Sequence, residues 1–323
     1  MIIARPWDTI WNMMNLAEKK ILLTGGGGFL GKFVHQKLLE RGVPEANIFI
    51  PRSATDDLRQ REVCDRAVAG RDIVIHLAAF AGGIQYNGAH PAEMIYNNAT
   101  MALNLIDAAH RAGVEKFVAW GSVCAYPKIV PVPFKEDDIW NGYPEETNGP
   151  YGVAKRTMLT LVQSYRKQYG MNAVYLLPLN LYGPGDHFEP EKSHVVPALI
   201  KKFIEAIKQG EKEVEVWGSG KATREFLYVE DAAEAAILAA ERYDKPEPVN
   251  IGPGKEVSIR ELTETIARIL GFKGRIKWDA TKPDGQPRRS LDVSRAEKEF
   301  GFKAKTPLED GLKKTIEWYK NSL

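Results

Sequence analysis

Cysteine is scarce in this chain. Two occur in 323 residues, Cys64 and Cys124, so there is neither a disulfide framework nor the ligand spacing of a zinc site. A reducing compartment and no bound metal are expected. Charge of one sign is lacking as well: 44 Lys and Arg stand against 42 Asp and Glu, a net of +2. That balance gives no electrostatic reason to expect nucleic acid or a membrane surface as partner. No apolar run approaches the ~18 residues that a membrane span needs. The opening stretch, MIIARPWDTIWNMMNLAEKK, carries Asp8 and other polar residues where a signal peptide would be unbroken and apolar. The expectation is a cytoplasmic chain whose residues 1–13 extend outside the fold, with Met13 or Met14 able to serve as an alternative start.

What is present is ordinary for a globular protein, 44% hydrophobic and 27% charged, and the length suggests about two domains at ~150 residues each. Short apolar runs alternate with segments of helical period. KKILLTG, NIFI, DIVIHLAA, KFVAWG and NAVYLLPL read as strands. FLGKFVHQKLLERG, REVCDRAVAG, PAEMIYNNATMALNLIDAAHRAG and GVAKRTMLTLVQSYRKQYG read as helices, closed by Gly42, Gly70, Gly113 and Gly170. Strands interleaved with helices predict an α/β fold, a Rossmann-type doubly wound parallel sheet over residues 14–180. After Leu179 the loops turn rich in Pro and Gly. A smaller C-terminal, substrate-binding domain is expected there, mainly 181–323 and discontinuous, with segments near 226–252 returning to the first.

TGGGGFLG ends the first strand and opens the first helix, with Gly25, Gly28 and Gly31 in a G-x-x-G-x-x-G frame. Glycines there tighten the turn and let backbone N–H groups approach a pyrophosphate at the helix N-terminus, which points to a dinucleotide. The second strand runs on into Pro51 and Arg52. A guanidinium suits a 2′-phosphate and so favours NADP, although Asp56 and Asp57 follow closely and could hold a plain ribose.

PYGVAK sets Tyr151 and Lys155 four apart at the start of a helix, on one face. A nearby ammonium lowers a phenol's pKa and can hold a nicotinamide ribose. The phenol can then protonate a carbonyl oxygen as hydride arrives, with Ser122, just past KFVAW, as second hydrogen-bond partner. Asn98, in the long helix, is a further candidate, orienting Lys155 through water. Two residues past Ser122 stands Cys124. A lone cysteine is ordinarily a small buried hydrophobe, but this offset puts a thiol on the loop that carries the serine.

TGGGGFLG, HLAA, GSVCAYPK and PYGVAK together resemble the extended short-chain dehydrogenase/reductases. HLAAFAGGI, NGPYGVAK, LNLYGPGDHFEPEKSHVVPALIKKF, VWGSGKATREFLYVEDAA and KPDGQPRRSLD are similar to one branch of that family. Its members epimerise and then reduce GDP-4-keto-6-deoxy-D-mannose. The likeness runs from about Leu16 to the C-terminus. It implies Cys124 as base and His194 of KSHVVPAL as acid for inversion at carbons 3 and 5, with His187 as the competing histidine. It further implies reduction of the 4-ketone, with Tyr151 as proton donor and Lys155 and Ser122 assisting. His35, His76, His90 and His110 read as structural.

The implied NADP contacts are Gly25, Gly28, Phe29, Leu30, Gly31, Arg52, Asp57, Leu58, Leu77, Ala78, Ala79, Tyr151, Lys155, Pro178, Asn180, Leu181 and His194. The implied contacts to the GDP-sugar are Lys202, Trp217, Arg224 and Asp284. Lys202 stands where some relatives carry arginine, whose bidentate grip on phosphate a lysine lacks. A homodimer is implied through the segment 91–112 and the helix opening at Tyr151.

Four rival readings differ in what they require. Sugar-nucleotide dehydratases carry Asp-Glu where Val123 and Cys124 stand, so dehydration lacks its acid and base. A UDP-hexose 4-epimerase would need neither Cys124 nor His194. A GDP-mannose 3,5-epimerase shares the thiol but favours NAD, against which Arg52 counts. A nucleotide-sensing regulator on a reductase fold would typically have lost Tyr151 or Lys155.

Overall fold

Ile21, Leu22 and Leu23 carry no polar break because both faces of the strand they form are covered. The computed structural model describes residues 13–189, 193–282 and 284–323, the side chains of Ile84 and Gln85 aside. The expected N-terminal extension, 1–13, lies outside the described residues apart from Met13. The first half of the chain forms β1 (Ile21–Thr24), α1 (Phe29–Glu40), β2 (Ile48–Phe49), α2 (Arg61–Val68), β3 (Ile73–His76), α3 (Ile84–Ala89), α4 (Pro91–Arg111), β4 (Lys116–Trp120), α5 (Gly149–Tyr169) and β5 (Ala173–Pro178). The second half continues with β6 (Asn180–Tyr182), α6 (Val195–Gln209), β7 (Glu213–Trp217), β8 (Thr223–Arg224), β9 (Phe226–Tyr228), α7 (Val229–Arg242) and β10 (Val249–Ile251). It ends with β11 (Val257–Ser258), α8 (Ile259–Leu270), β12 (Arg275–Asp279), β13 (Arg288–Arg289), α9 (Ser294–Phe300) and α10 (Leu308–Asn321).

Six strands make one parallel sheet in the order β10-β5-β4-β3-β1-β2. The strand period of two sends Leu22, Val74, Phe117 and Tyr175 to one face, where Leu105 and Ile106 of α4 and Leu159 of α5 cover them. Ile21, Ile75, Val118, Leu176 and Val249 go to the other face, under Val34 and Leu38 of α1 and the alanines of α7. Ala232, Ala233, Ala235, Ala236 and Ala239 are all fully buried. Their small side chains let α7 lie close on the sheet. β6, α6, β7, β9, α8 and α10 build a separate core around Tyr182, Phe203, Ile200, Tyr228, Leu262 and Leu312, and β7 pairs β12 in parallel. The short α3 was not expected from the glycine-rich stretch that holds it. No helix among the described residues is long and apolar enough to cross a membrane.

Candidate active site

The chain leaves β1 for β2 on one side, and β3 lies on the other. The carboxyl ends of β1 and β3 therefore flank the point where the winding reverses, the usual ligand crevice of such sheets. A cavity of about 680 Å³ opens there. Two glycines make it possible. Gly25 turns at φ +73°, and a Cβ on it would come 2.8 Å from the Ala78 nitrogen. A Cβ on Gly31 would come 2.0 Å from the Gly25 carbonyl oxygen. α1 starts behind Gly28, which has no side chain to cap it, so its first-turn N–H groups are open to an anion.

Gly25, Gly28, Phe29, Leu30, Gly31, Arg52, Asp57, Leu58, Leu77, Ala78 and Ala79 line this cavity. Of the other residues expected at the cofactor, Tyr151, Lys155, Pro178, Asn180, Leu181 and His194 do not line it. Arg52 lies across the glycine loop, its Nη1 3.0 Å from where a Gly27 Cβ would stand. The acids that follow it are committed elsewhere. Asp57 accepts from Arg59 Nε at 2.9 and 3.1 Å and from Nη2 at 2.7 Å, and that guanidinium holds its carboxyl below the usual range. Asp56 accepts the Arg52 N–H at 3.2 Å. Arg59 and Asn97, joined at 2.9 Å, were missed as cavity residues. The available signal was the adjacent pair Asn97–Asn98 in the middle of a helix, where asparagine is poorly suited. Asn98 itself holds Phe80 at both ends, donating to its carbonyl at 2.8 Å and accepting its N–H at 2.9 Å. Its bonds thus go to the Phe80 backbone and, at 2.8 Å, to the Met94 carbonyl, and no direct bond joins it to Lys155.

At the end of β4 the Ser-x-Cys spacing acquires a physical reason. Ser122 caps a single 3₁₀ turn, Val123–Ala125, and its Oγ accepts the Cys124 N–H at 3.1 Å. The first turn of α5 presses on that loop: a Cβ on Gly152 would stand 2.3 Å from the Cys124 carbonyl oxygen. Arg156 Nε donates to the Ala125 carbonyl at 2.6 Å. Tyr151 and Lys155 are carried in with the helix. Lys155 is buried, donates from Nζ to the Trp120 carbonyl at 2.9 Å, and lies 5.6 Å from the Tyr151 ring centre.

Burial pulls the Lys155 ammonium down to about 8, against an opposing pull from Cys124. The expectation that Lys155 would lower the Tyr151 phenol is corrected here. Burial pushes the phenol up, the Cys124 charge adds to it, and a hydrogen bond with Ser122 works against both. Desolvation, not the helix neighbour, sets the direction.

A smaller cavity beside the thiol is lined by Val123, Cys124, Tyr126, Pro127, Phe134, Glu145, Asn148, Gln286 and Arg289. Arg289 was not among the candidates. It donates to Gln286 Oε1 from Nε at 2.9 Å and from Nη2 at 2.5 Å. The parallel pairing of β13 with β8 sets it opposite Arg224. Burial and the Arg289 charge pull Arg224 down to about 10. Two guanidiniums held side by side call for an anion. Tyr126, two residues past the thiol, donates to Asn250 Oδ1 at 2.7 Å. Asn250 Nδ2 in turn donates to the carbonyls of Phe134 and Asp292, each at 3.0 Å. The thiol loop is thereby tied both to β10 and to the segment that follows β13.

Trp217 stands 60% exposed with Lys282 Nζ 5.4 Å over its ring, and Lys202 Nζ donates to the Glu215 carbonyl. Asp284 has both oxygens engaged, accepting the Ser219 N–H at 2.6 Å and its hydroxyl at 2.7 Å. It orders the turn after Trp217. His194 sits at the N-cap position of α6, without a side-chain bond to the helix, and lines neither cavity. The residue is exposed, while desolvation and the neighbouring His187 pull its pKa down. His76 is buried against Thr24 Oγ1 at 2.8 Å and pushed down to about 3, so it stays neutral. Among the described residues no group of three or more His, Cys, Asp or Glu is arranged to hold a metal ion.

A glycine cradle, a Tyr-Lys pair and a serine at a strand end are the features of a nucleotide-dependent oxidoreductase. Residues 21–252 match the NAD dependent epimerase/dehydratase family, and the chain belongs to it. GDP-L-fucose synthase 1 of Arabidopsis thaliana is 42% identical over 308 residues, 95% of this chain and 94% of its own. GDP-L-fucose synthase of Escherichia coli (strain K12) is 40% identical over 314 residues, 94% and 97% of the two chains. A solved GDP-L-fucose synthetase from Naegleria fowleri, bound to NADP, superposes with a TM-score of 0.83 at 28% identity, over 94% of this chain and 95% of that one.

Proposed function

We propose that this chain converts GDP-4-keto-6-deoxy-D-mannose to GDP-L-fucose with NADPH, inverting carbons 3 and 5 and then reducing the 4-ketone at the same site. The observation that carries this is the thiol of Cys124 on the turn whose N–H bonds to Ser122 Oγ, the loop against which α5 sets Tyr151 and Lys155. A plain reductase has no use for a base at that position. The ketone acidifies the hydrogens on its two neighbouring carbons. Cys124 removes them in turn, and Ser122 and Tyr151 bear the negative charge that develops on the carbonyl oxygen. His194 returns a proton from the opposite face.

The glycine cradle and Arg52 fit NADP, whose bound form supplies the hydride. Tyr151 then protonates the same oxygen, and Lys155 holds the nicotinamide ribose. Arg224 and Arg289 take the diphosphate, with Lys202 and Trp217 around the nucleoside and Asp284 steadying its platform. In this division residues 14–180 serve the cofactor and 181–323 mainly the GDP-sugar. The test is incubation of the protein with GDP-4-keto-6-deoxy-D-mannose and NADPH in deuterated water. The expected product is GDP-L-fucose labelled at carbons 3 and 5. An inverted ketone with no NADPH consumed would make the chain a 3,5-epimerase instead.

Two further results are expected at this site. Arg52→Ala should lower the preference for NADPH over NADH by about 10- to 100-fold, as loss of a charge-assisted phosphate contact does; an unchanged ratio of kcat/KM values removes Arg52 from that role. Lys155 has a folded pKa of about 8 against an ordinary 10.5. Its charge is therefore present below about pH 8 and lost as pH rises through that value. kcat/KM for the reduction should fall on the alkaline side of pH 8, since this quantity reports the free enzyme. A profile flat to pH 10 would exclude Lys155 as the group. The linked stability runs the other way: because the folded state sheds its proton first, Lys155 destabilises the fold most below about pH 8, and the penalty shrinks toward the unfolded value.

Exposed Ile95, Tyr96 and Leu103 on α4 support a homodimer through α4 and α5. A sedimenting mass near 36.1 kDa, that of one chain, would exclude it. The pair of free cysteines is in keeping with the cytoplasm.

A further inference from the structure

Glu225 is fully buried, and among the described residues no cation pairs with it. Its carboxylate instead accepts three hydrogen bonds from two other segments of chain. Oε1 accepts from the Ser290 hydroxyl and from the Leu291 N–H at 3.0 Å. Oε2 accepts from the Gly254 N–H at 3.0 Å. Removing a carboxylate from water without a counter-ion is costly, and an apolar side chain would fill the space at lower cost. The arrangement is informative because of its neighbours. Glu225 directly follows Arg224, Ser290 directly follows Arg289, and the two arginines are register partners. Consecutive residues of extended chain point to opposite faces. The carboxylate thus locks the back of the strand pair while both guanidiniums emerge from its front. Because Glu225 touches neither guanidinium, it organises their positive charge without cancelling it.

We propose that Glu225 is a positioning residue that fixes Arg224 and Arg289 as a rigid clamp for the substrate's diphosphate. The proposal rests on the reading above that the arginine pair takes that diphosphate. Gly254 lies just past β10, so the same carboxylate also anchors the clamp to the edge of the main sheet.

The test measures GDP and NADPH affinities by calorimetry for the full chain and four variants. Glu225→Gln keeps the shape but replaces one acceptor by a donor, and should weaken GDP by about tenfold while NADPH binding stays within about twofold. Arg289→Ala should weaken GDP on its own. Glu225→Gln added to Arg289→Ala should then cost less than about twofold more, since neighbours acting through one contact are not additive. A general structural role would instead give the full tenfold loss in both backgrounds, and that result, or an unchanged GDP affinity in Glu225→Gln, overturns the proposal. Should Glu225→Gln fail to fold, Ser290→Ala removes one donor and leaves the charge. It should weaken GDP by about threefold with NADPH untouched, and no change there is equally fatal. GDP affinity untouched by Arg289→Ala would mark the arginine reading itself as wrong, a failure distinct from one confined to Glu225.

Discussion

Cys124→Ser is expected to stop deuterium from washing into carbons 3 and 5 and to cut formation of the fucosyl product by roughly 10³-fold, the scale of losing a positioned general base. The substitution is nearly isosteric, and the bond that orients the residue, Cys124 N–H to Ser122 Oγ, belongs to the backbone and survives it. What changes is basicity. A hydroxyl holds its proton far more tightly than a thiol and cannot deprotonate carbon beside a ketone at neutral pH. NADPH affinity should not move, because Cys124 is not among the residues lining the larger cavity. Wild-type label entry at both carbons in this variant would take the sulfur out of the mechanism.

Tyr151→Phe should separate the two halves of the reaction. The ring and its packing remain, while the hydroxyl that protonates the reduced oxygen is gone. Reduction should fall by roughly 10²- to 10⁴-fold. Label entry should fall less, since Ser122 still faces the enolate oxygen, and inverted ketone should accumulate. The two variants thus give opposite patterns: no label and no product for Cys124→Ser, label without reduction for Tyr151→Phe. Equal losses of label entry and reduction in Tyr151→Phe would mean that the phenol serves both steps alike.

The parallel sheet was legible because its strands are short apolar runs separated by helical periods, and the glycine frame because Gly25 and Gly31 have no room for a side chain. Ser122, Cys124, Tyr151 and Lys155 were legible because each pair sits within one local element, a turn or one helical stretch. Arg289 was not. Its standing comes from register with Arg224, set by two-residue strands far apart in the chain, and no periodicity encodes such a pairing. Arg59 is a similar case: it lines the cavity through a fold of the loop that also ties up Asp57. The phenol went wrong for another reason. Spacing shows which charge is near, but not how much solvent is excluded, and at Tyr151 exclusion decides the direction.

The sixth strand has a practical consequence. Val249–Ile251 completes the sheet beside β5, and the alanines of α7 roof one of its faces. A shortened chain ending near residue 180 would expose the hydrogen-bonding edge of β5 and strip the cover from Ile75, Val118 and Leu176. Such a fragment should aggregate rather than report on nucleotide affinity, so this protein does not divide into separately expressible halves. Chimaeras with a relative would have to exchange the later strand and helix together with the earlier ones.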